Sequence, residues 1–235
     1  MIPGKVAVLL QARFGSQRLP GKVLEQLAGA TLLAHCVTRL QAAVLGPVVV
    51  ATTTLPADDA VAAEAERLNV AVWRGSEDDV LARFVGAMTS VQAEFVIRAT
   101  ADNPAVDAGS GLRLVDALRS AHADHAVEDG LPYGSTVEAI TATALRDAAG
   151  RTSDPFDREH VTPYIRRAGS GFKCLTVAAP ASVHRPDLRF TVDTATDLAY
   201  MRRVLRDGGA TGGRVVPLVD LIAAADRLAA HREVA

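Results

Sequence analysis

Cysteine is nearly missing from this chain: among 235 residues only Cys36 and Cys174 occur, far apart and outside any Cys-x-x-Cys spacing. That argues against a disulfide framework and a zinc ribbon. An excess of one charge is also missing, since 25 Lys and Arg face 27 Asp and Glu for a formal net charge of -2. Such a balance argues against a general nucleic-acid binder or a membrane-surface protein. Long apolar runs are scarce too: after Met1-Ile-Pro-Gly-Lys5 only Val6 to Leu10 is continuously apolar, too short for a signal-peptide core or a membrane span. The cytoplasm is the expected compartment. No internal repeat or low-complexity tract is present, and 49% hydrophobic content can bury a sizeable core. A single domain over 1–235 is expected.

What is present is an alternation. Val6 to Leu10, Val48 to Ala51, Val70 to Trp73 and Phe95 to Ala99 read as strands, and between them lie amphipathic stretches near 31–44, 58–68, 77–90 and 109–121. Short continuous apolar strands alternating with helices predict parallel βαβ units, a sheet covered on both faces, and ligands bound at the carboxyl ends of the strands. From Asp124 the rhythm changes to an α+β insertion at about 124–180, with strand candidates at 130–134, 137–140 and 172–177 and helices near 141–149 and 154–167. A strand at Leu188 to Val192, a helix opened by Thr194 with Asp197, and a terminal helix from Pro217 to Ala230 then return to the core. Cys36 falls in the helical stripe Leu32, Leu33, Cys36, Val37, Leu40 and reads as a core thiol.

The segment Gln11-Ala-Arg-Phe-Gly-Ser-Gln-Arg-Leu-Pro-Gly-Lys22 directly follows the first strand. Gly15 and Gly21 let the backbone approach a ligand, while Arg13, Arg18 and Lys22 supply charge-assisted bonds for phosphate oxygens. It is not a Walker A loop, because its glycines are one residue too far apart and Val23 stands where that motif has a hydroxyl. The alternative is a solvated basic turn. Asp102 and Asp193 each follow a predicted strand and would meet this loop at one sheet edge, where two carboxylates and substrate phosphates suit Mg²⁺. Taken singly, each aspartate reads more readily as a turn or cap residue, and it is their shared position after strands, opposite the cationic loop, that favours the site. Arg74 ends a strand ahead of the helix near Glu77. His160, flanked by Arg158 and Glu159, lies on a predicted helix where an anionic acceptor could be read, and Arg185 precedes a strand that could also reach it. His122 and His125 have metal-like spacing without a third ligand.

Five segments, taken in order, resemble one family: Gln11-Ala-Arg to Leu-Pro-Gly-Lys22, Arg74-Gly-Ser-Glu-Asp-Asp-Val-Leu-Ala-Arg83, Arg98-Ala-Thr-Ala-Asp102-x-Pro104, Arg158-Glu-His-Val-Thr-Pro-Tyr164, and Arg185-Pro-Asp-Leu-Arg189-x-Thr-Val-Asp193-Thr. They are similar to the cytidylyltransferases of spore coat polysaccharide biosynthesis, relatives of the CMP-Kdo and CMP-acylneuraminate synthetases. The resemblance spans nearly the whole chain. It implies a nucleotide-diphospho-sugar transferase fold, a three-layer α/β/α sandwich with a mostly parallel sheet and a small α+β insertion for acceptor binding and dimerisation. It also implies a homodimer and Mg²⁺-dependent transfer of CMP from CTP to a small anionic acceptor, such as an acidic sugar, a sugar or cyclitol phosphate, or a phosphonate, with release of pyrophosphate.

By the same resemblance Gln11, Ala12, Arg13, Gly15, Ser16, Arg18, Lys22, Arg74 and Arg98 would line the nucleotide. Arg13, Lys22 and Asp102 would serve catalysis, Asp102 with Asp193 would hold the metal, and Tyr133, Glu138, Arg158, His160 and Arg185 would face the acceptor. Around Tyr133-Gly-Ser-Thr-Val-Glu138 the family carries an Arg-Gly pair and an aspartate, where this chain has Tyr133 and Thr136. Arg98 stands near the base-reading glutamine of the sugar-acid synthetases, so guanylyl or uridylyl transfer to a sugar phosphate stays open beside cytidylyl transfer. A glycosyltransferase or a non-catalytic nucleotide-binding module is the alternative of another class, the former lacking an Asp-x-Asp at Asp102-Asn103-Pro104.

Overall fold

A computed structural model describes residues 5–233, with side chains described through His231; the expectation that the N-terminal segment is no signal peptide falls partly on Met1 to Gly4, which lie outside the described residues. The first apolar run becomes β1 (Val6–Gln11), an interior strand of a seven-stranded sheet. Its neighbours are β4 (Val48–Thr53) and β6 (Phe95–Thr100), both parallel to it. A strand between two others with helices on both faces must be apolar on both sides, which is why β1 reads as a run rather than an alternation. Val6, Val8 and Leu10 enter one apolar cluster, and Ala7 and Leu9 enter another on the opposite face. The result is a three-layer α/β/α sandwich.

A two-residue hairpin, β2 (Gln26–Leu27) and β3 (Ala30–Thr31), leads into α1 (Leu32–Ala42), which Thr31 caps by accepting the Ala34 amide at 3.0 Å. Next come α2 (Asp59–Arg67), β5 (Ala71–Gly75), α3 (Val80–Ser90) and α4 (Ser110–Ala121). Helix α3 starts three residues later than its periodicity predicts because Asp79 caps it through the Ala82 amide at 2.8 Å. Glu77 is thereby left in the loop before it.

The segment 124–180 adds its strands to the same sheet, in the order β5-β4-β1-β6-β8-β7-β9. These are β7 (His125–Asp129), β8 (Glu138–Thr141) and β9 (Cys174–Ala178), with α5 (Ala142–Arg151), α6 (Pro155–His160) and α7 (Pro163–Arg166) beside them. Strand β8 runs antiparallel to both neighbours, and the other pairings in the sheet are parallel. The chain closes with α8 (Ala195–Asp207), opened by the Thr194–Asp197 capping box, and α9 (Leu218–Glu233). Among the described residues no helix is long and apolar enough to cross a membrane.

Three expectations are corrected. Residues 130–134 form no strand; the strand is β7 immediately before them. Its apolar pattern is hidden because His125 and Glu128 are buried polar residues, the latter held by the Arg113 guanidinium. Residues 188–192 are likewise not a ladder strand, for only Arg189 forms an isolated bridge, to Tyr133. The helix expected over 154–167 breaks at Val161 and Thr162, because Pro163 has no amide to donate and starts a new turn as an N1 residue.

Candidate active site

The loop after β1 is folded on itself. The Gly21 amide donates to the Phe14 carbonyl at 2.9 Å, and the Phe14 amide donates to Asp58 Oδ1 at 2.6 Å. Gly21 adopts φ 72°, and a Cβ placed there would stand 3.0 Å from the Phe14 ring. Conformation and space therefore both require glycine. Asp58, which is buried and also bonded to the Thr53 hydroxyl, anchors the loop from below. No pattern in the sequence singles out Asp58, since Pro56-Ala-Asp58 reads only as a helix start.

This fold of the loop brings its cations to the sheet edge, where each meets a carboxylate. Lys22 Nζ lies 3.1 Å from Asp102 Oδ2, 3.2 Å from Asp193 Oδ1 and 2.7 Å from the Val192 carbonyl. Arg18 reaches Asp193 Oδ1 at 2.9 Å, and Arg189 takes Asp193 Oδ2 at 2.7 Å. Arg13 lies between Glu77 at 3.4 Å and Glu159 at 3.7 Å. Thr100 donates its hydroxyl to Asp102 Oδ1 at 2.7 Å, which fixes that carboxylate. Glu77, Glu159, Thr100 and Arg189 were not singled out by sequence reasoning, although all four fall inside the five resembling segments.

Two clefts open here. One, of about 420 Å³, is lined by Gln11, Ala12, Arg13, Ser16, Arg18 and Lys22 on one side and by Asp102, Glu159, His160 and Asp193 on the other. The second, of about 740 Å³, runs from Arg98 and Glu138 past Asp129, Tyr133 and Arg166. Arg18, Thr100, Asp102, His160 and Asp193 line both, so the paired aspartates stand at the seam between them. Gln11 lines the first cleft and carries a buried Oε1 that accepts from no protein donor.

The wall of the second cleft is a polar cluster centred on Glu138. Arg98 Nη1 donates to its Oε2 at 2.9 Å, and the Thr162 hydroxyl donates to Oε1 at 3.2 Å. Arg166 approaches Oε1 at 3.4 Å. His125 Nε2 also lies 3.4 Å from Oε1, with no hydrogen bond formed by either ring nitrogen. Burial by itself raises the Glu138 carboxyl, but His125, Arg98 and Arg166 outweigh it and hold the group at about 2. Tyr133 is exposed and lies under the Arg189 guanidinium, 4.8 Å from its ring centroid.

The remaining expected site residues sit elsewhere. Arg98 faces the second cleft and does not line the first. Arg74 is engaged by the Thr53 and Leu55 carbonyls and by Asp59, and lines neither cleft. Gly15 lies behind the loop, where an added Cβ would be 3.5 Å from Glu77 Oε1. Arg158 ties α6 to the Ala149 and Thr152 carbonyls and to Asp79, and Arg185 forks between Asp187 and Asp226 of α9. Neither lines a cleft. Among the described residues, no group of three or more His, Cys, Asp or Glu side chains is arranged to hold a metal. Asp102 and Asp193 converge as a pair around the Lys22 ammonium.

Comparison with known proteins agrees with this architecture. The family profile described as Cytidylyltransferase matches residues 7–215. The spore coat polysaccharide biosynthesis protein SpsF of Bacillus subtilis (strain 168) is 32% identical over 214 residues, 87% of this chain and 88% of that one. A cytidylyltransferase structure from Leptospira borgpetersenii serovar Hardjo-bovis superposes with a TM-score of 0.86 at 26% identity, covering 97% of this chain and 96% of that chain. A CMP:2-keto-3-deoxy-manno-octonic acid synthetase structure complexed with CTP shares the fold, with a TM-score of 0.63 at 20% identity over 86% of this chain and 98% of that one.

Proposed function

The chain belongs to the cytidylyltransferase family and is a nucleotidyltransferase, and from that premise we propose that it transfers CMP from CTP to a small anionic acceptor and releases pyrophosphate. The observation that carries this reading is the position of Lys22, Asp102 and Asp193 at the seam of two clefts, with the Arg13 and Arg18 loop on one side. A triphosphate would lie along the loop, and the acceptor would enter past Arg98 and Tyr133. Gln11 Oε1, buried and unpaired, supports cytosine as the base, because an exocyclic amine would satisfy it.

In the reaction an acceptor oxygen attacks the α-phosphorus in line, the new oxygen–phosphorus bond forms, and the bond to the β-phosphate oxygen breaks. Arg13, Arg18 and Lys22 would take the negative charge that accumulates on the departing pyrophosphate. An acceptor that is already ionised needs no base. Positioning and charge neutralisation then supply most of the rate. Asp102 and Asp193 are hard oxygen donors on either side of Lys22 Nζ and would hold Mg²⁺ in place of that ammonium, with phosphates and water to complete the shell. When bound, that ion would offset phosphate charge. We further read the enzyme as a cytoplasmic homodimer acting on neither nucleic acid nor membrane.

The test is a matrix of CTP, UTP, GTP and ATP against sugar acids, sugar phosphates and phosphonates, with pyrophosphate as the readout. Release that requires CTP together with one acceptor class is the expected result. Saturable nucleotide binding with no release across the whole panel would refute the reading.

A further inference from the structure

Val161 directly follows His160, which lines both clefts, and adopts a backbone conformation that its side chain disfavours. It has φ 71° and ψ −54°, whereas a left-handed residue such as His122 has φ 47° and ψ 55°. The Thr162 amide donates to the His160 carbonyl at 2.8 Å. That bond closes a three-residue γ-turn of the rare, positive-φ hand. In a continued helix the Thr162 amide would instead bond the carbonyl of Arg158. For a β-branched residue a positive φ is an outlier that persists only when its surroundings impose it.

Burial of the side chain imposes it here. Val161 is 0% exposed and belongs to the apolar cluster that includes Leu81, Phe84, Leu145 and Ile165. Keeping its two methyl groups in that cluster reverses the chain at this point. His160 on one side of the turn lines both clefts, and Thr162 on the other side donates to Glu138. Glu159, just before the turn, approaches Arg13 of the nucleotide loop.

We propose that Val161 is a positioning residue for nucleotidyl transfer, whose buried side chain holds a strained γ-turn that fixes His160 at the seam and Thr162 on the acceptor-side carboxylate. The inference rests on the function proposed above. It yields an inverted substitution order. Val161→Ala removes the anchoring methyls but keeps a Cβ that disfavours positive φ, so the turn relaxes and His160 moves. Val161→Gly removes the anchor and the conformational penalty together, so the turn stays accessible. A residue that only fills the core gives the reverse order, because Gly loses more buried volume and more backbone entropy than Ala.

The experiment measures the His160 imidazole ¹H–¹⁵N resonances of the free protein, thermal stability, and steady-state kinetics for wild type, Val161→Ala and Val161→Gly. We expect Val161→Ala to shift the His160 resonances and lower kcat about tenfold or more with KM for CTP nearly constant. Val161→Gly should stay closer to wild type in both. Ala equal to or better than Gly, or a His160 resonance unmoved in Val161→Ala, overturns the inference. A backbone coupling constant reporting negative φ at Val161 in the wild type overturns it whatever the variants do. If neither small variant folds, Thr162→Val replaces them, and unchanged kcat there overturns it. The resonance readout needs no substrate, so a wild type that never releases pyrophosphate refutes the proposed function separately.

Discussion

The backbone carbonyl of Asp102 accepts the Val192 amide at 2.8 Å. This bond joins the turn after β6 to the segment before α8 without any ladder strand between them. It sets the two neighbouring carboxylates, those of Asp102 and Asp193, on either side of Lys22 Nζ. The convergence of two aspartates far apart in sequence thus rests partly on main-chain geometry, while their carboxylates are held by Lys22, Arg18, Arg189 and the Thr100 hydroxyl.

It follows that Asp102→Asn should keep the fold and lose the chemistry. The backbone bond survives, and the amide oxygen still accepts the Thr100 hydroxyl, whereas the negative charge disappears. Turnover at limiting Mg²⁺ should fall by roughly a hundredfold or more, with an unchanged circular dichroism spectrum. Near-normal turnover would remove Asp102 from the metal site.

Lys22 and Arg18 should separate in stability while agreeing in kinetics. Lys22 has a side chain only 10% exposed between two carboxylates, and its removal leaves those charges facing one another. Arg18 is 64% exposed and contributes little to folding. Lys22→Ala should therefore lower both Tm and kcat, and Arg18→Ala should lower kcat and CTP affinity with Tm unchanged. Equal kinetics for wild type and both variants would reduce the loop to a surface turn.

The sandwich was legible because its central strands are apolar runs separated by helical periodicity, and the loop was legible because three cations and two glycines occupy the eleven residues after β1. Strand β7 was not, since His125 and Glu128 occupy its buried positions, Glu128 being held there by Arg113 of α4. The position of Asp193 was anticipated through a strand that is absent, its actual support being the Val192 to Asp102 bond. Arg74, Arg158 and Arg185 illustrate a further limit. A sequence displays a cation without displaying the carbonyls and carboxylates that occupy it.

Glu138 makes stability depend on acid. Its folded value of about 2 lies below its ordinary 4.5, so the unfolded chain binds the proton more readily between those values. The stabilisation is complete above pH 4.5 and is lost as pH falls from there toward 2. Its size is on the order of 3 kcal/mol. Urea denaturation of Glu138→Gln against wild type across that window should show a shallower slope for the variant. Parallel slopes would mean that the cluster does not favour the ionised carboxylate.

Nucleotide choice should be read at Gln11. Gln11 lines the loop cleft, and its buried Oε1 accepts from no protein donor, so an arriving donor would satisfy it. The cytosine 4-amino group is such a donor, whereas uracil presents a carbonyl oxygen in its place and leaves two acceptors in opposition. Discrimination between CTP and UTP should then reach about two to three orders of magnitude in kcat/KM. Gln11→Leu keeps a side chain of similar length and removes the orphaned acceptor. It should raise Tm slightly while lowering kcat/KM for CTP by about tenfold or more and narrowing the gap to UTP. The combination is diagnostic, because a residue with only a packing role would not couple a gain in stability to a loss of base discrimination. Measured kcat/KM for CTP, UTP, GTP and ATP in wild type and variant decides the point. A wild-type preference for GTP would assign the second-cleft Arg98 to a guanine carbonyl and overturn cytidylyl transfer, with nucleotidyl transfer itself left standing.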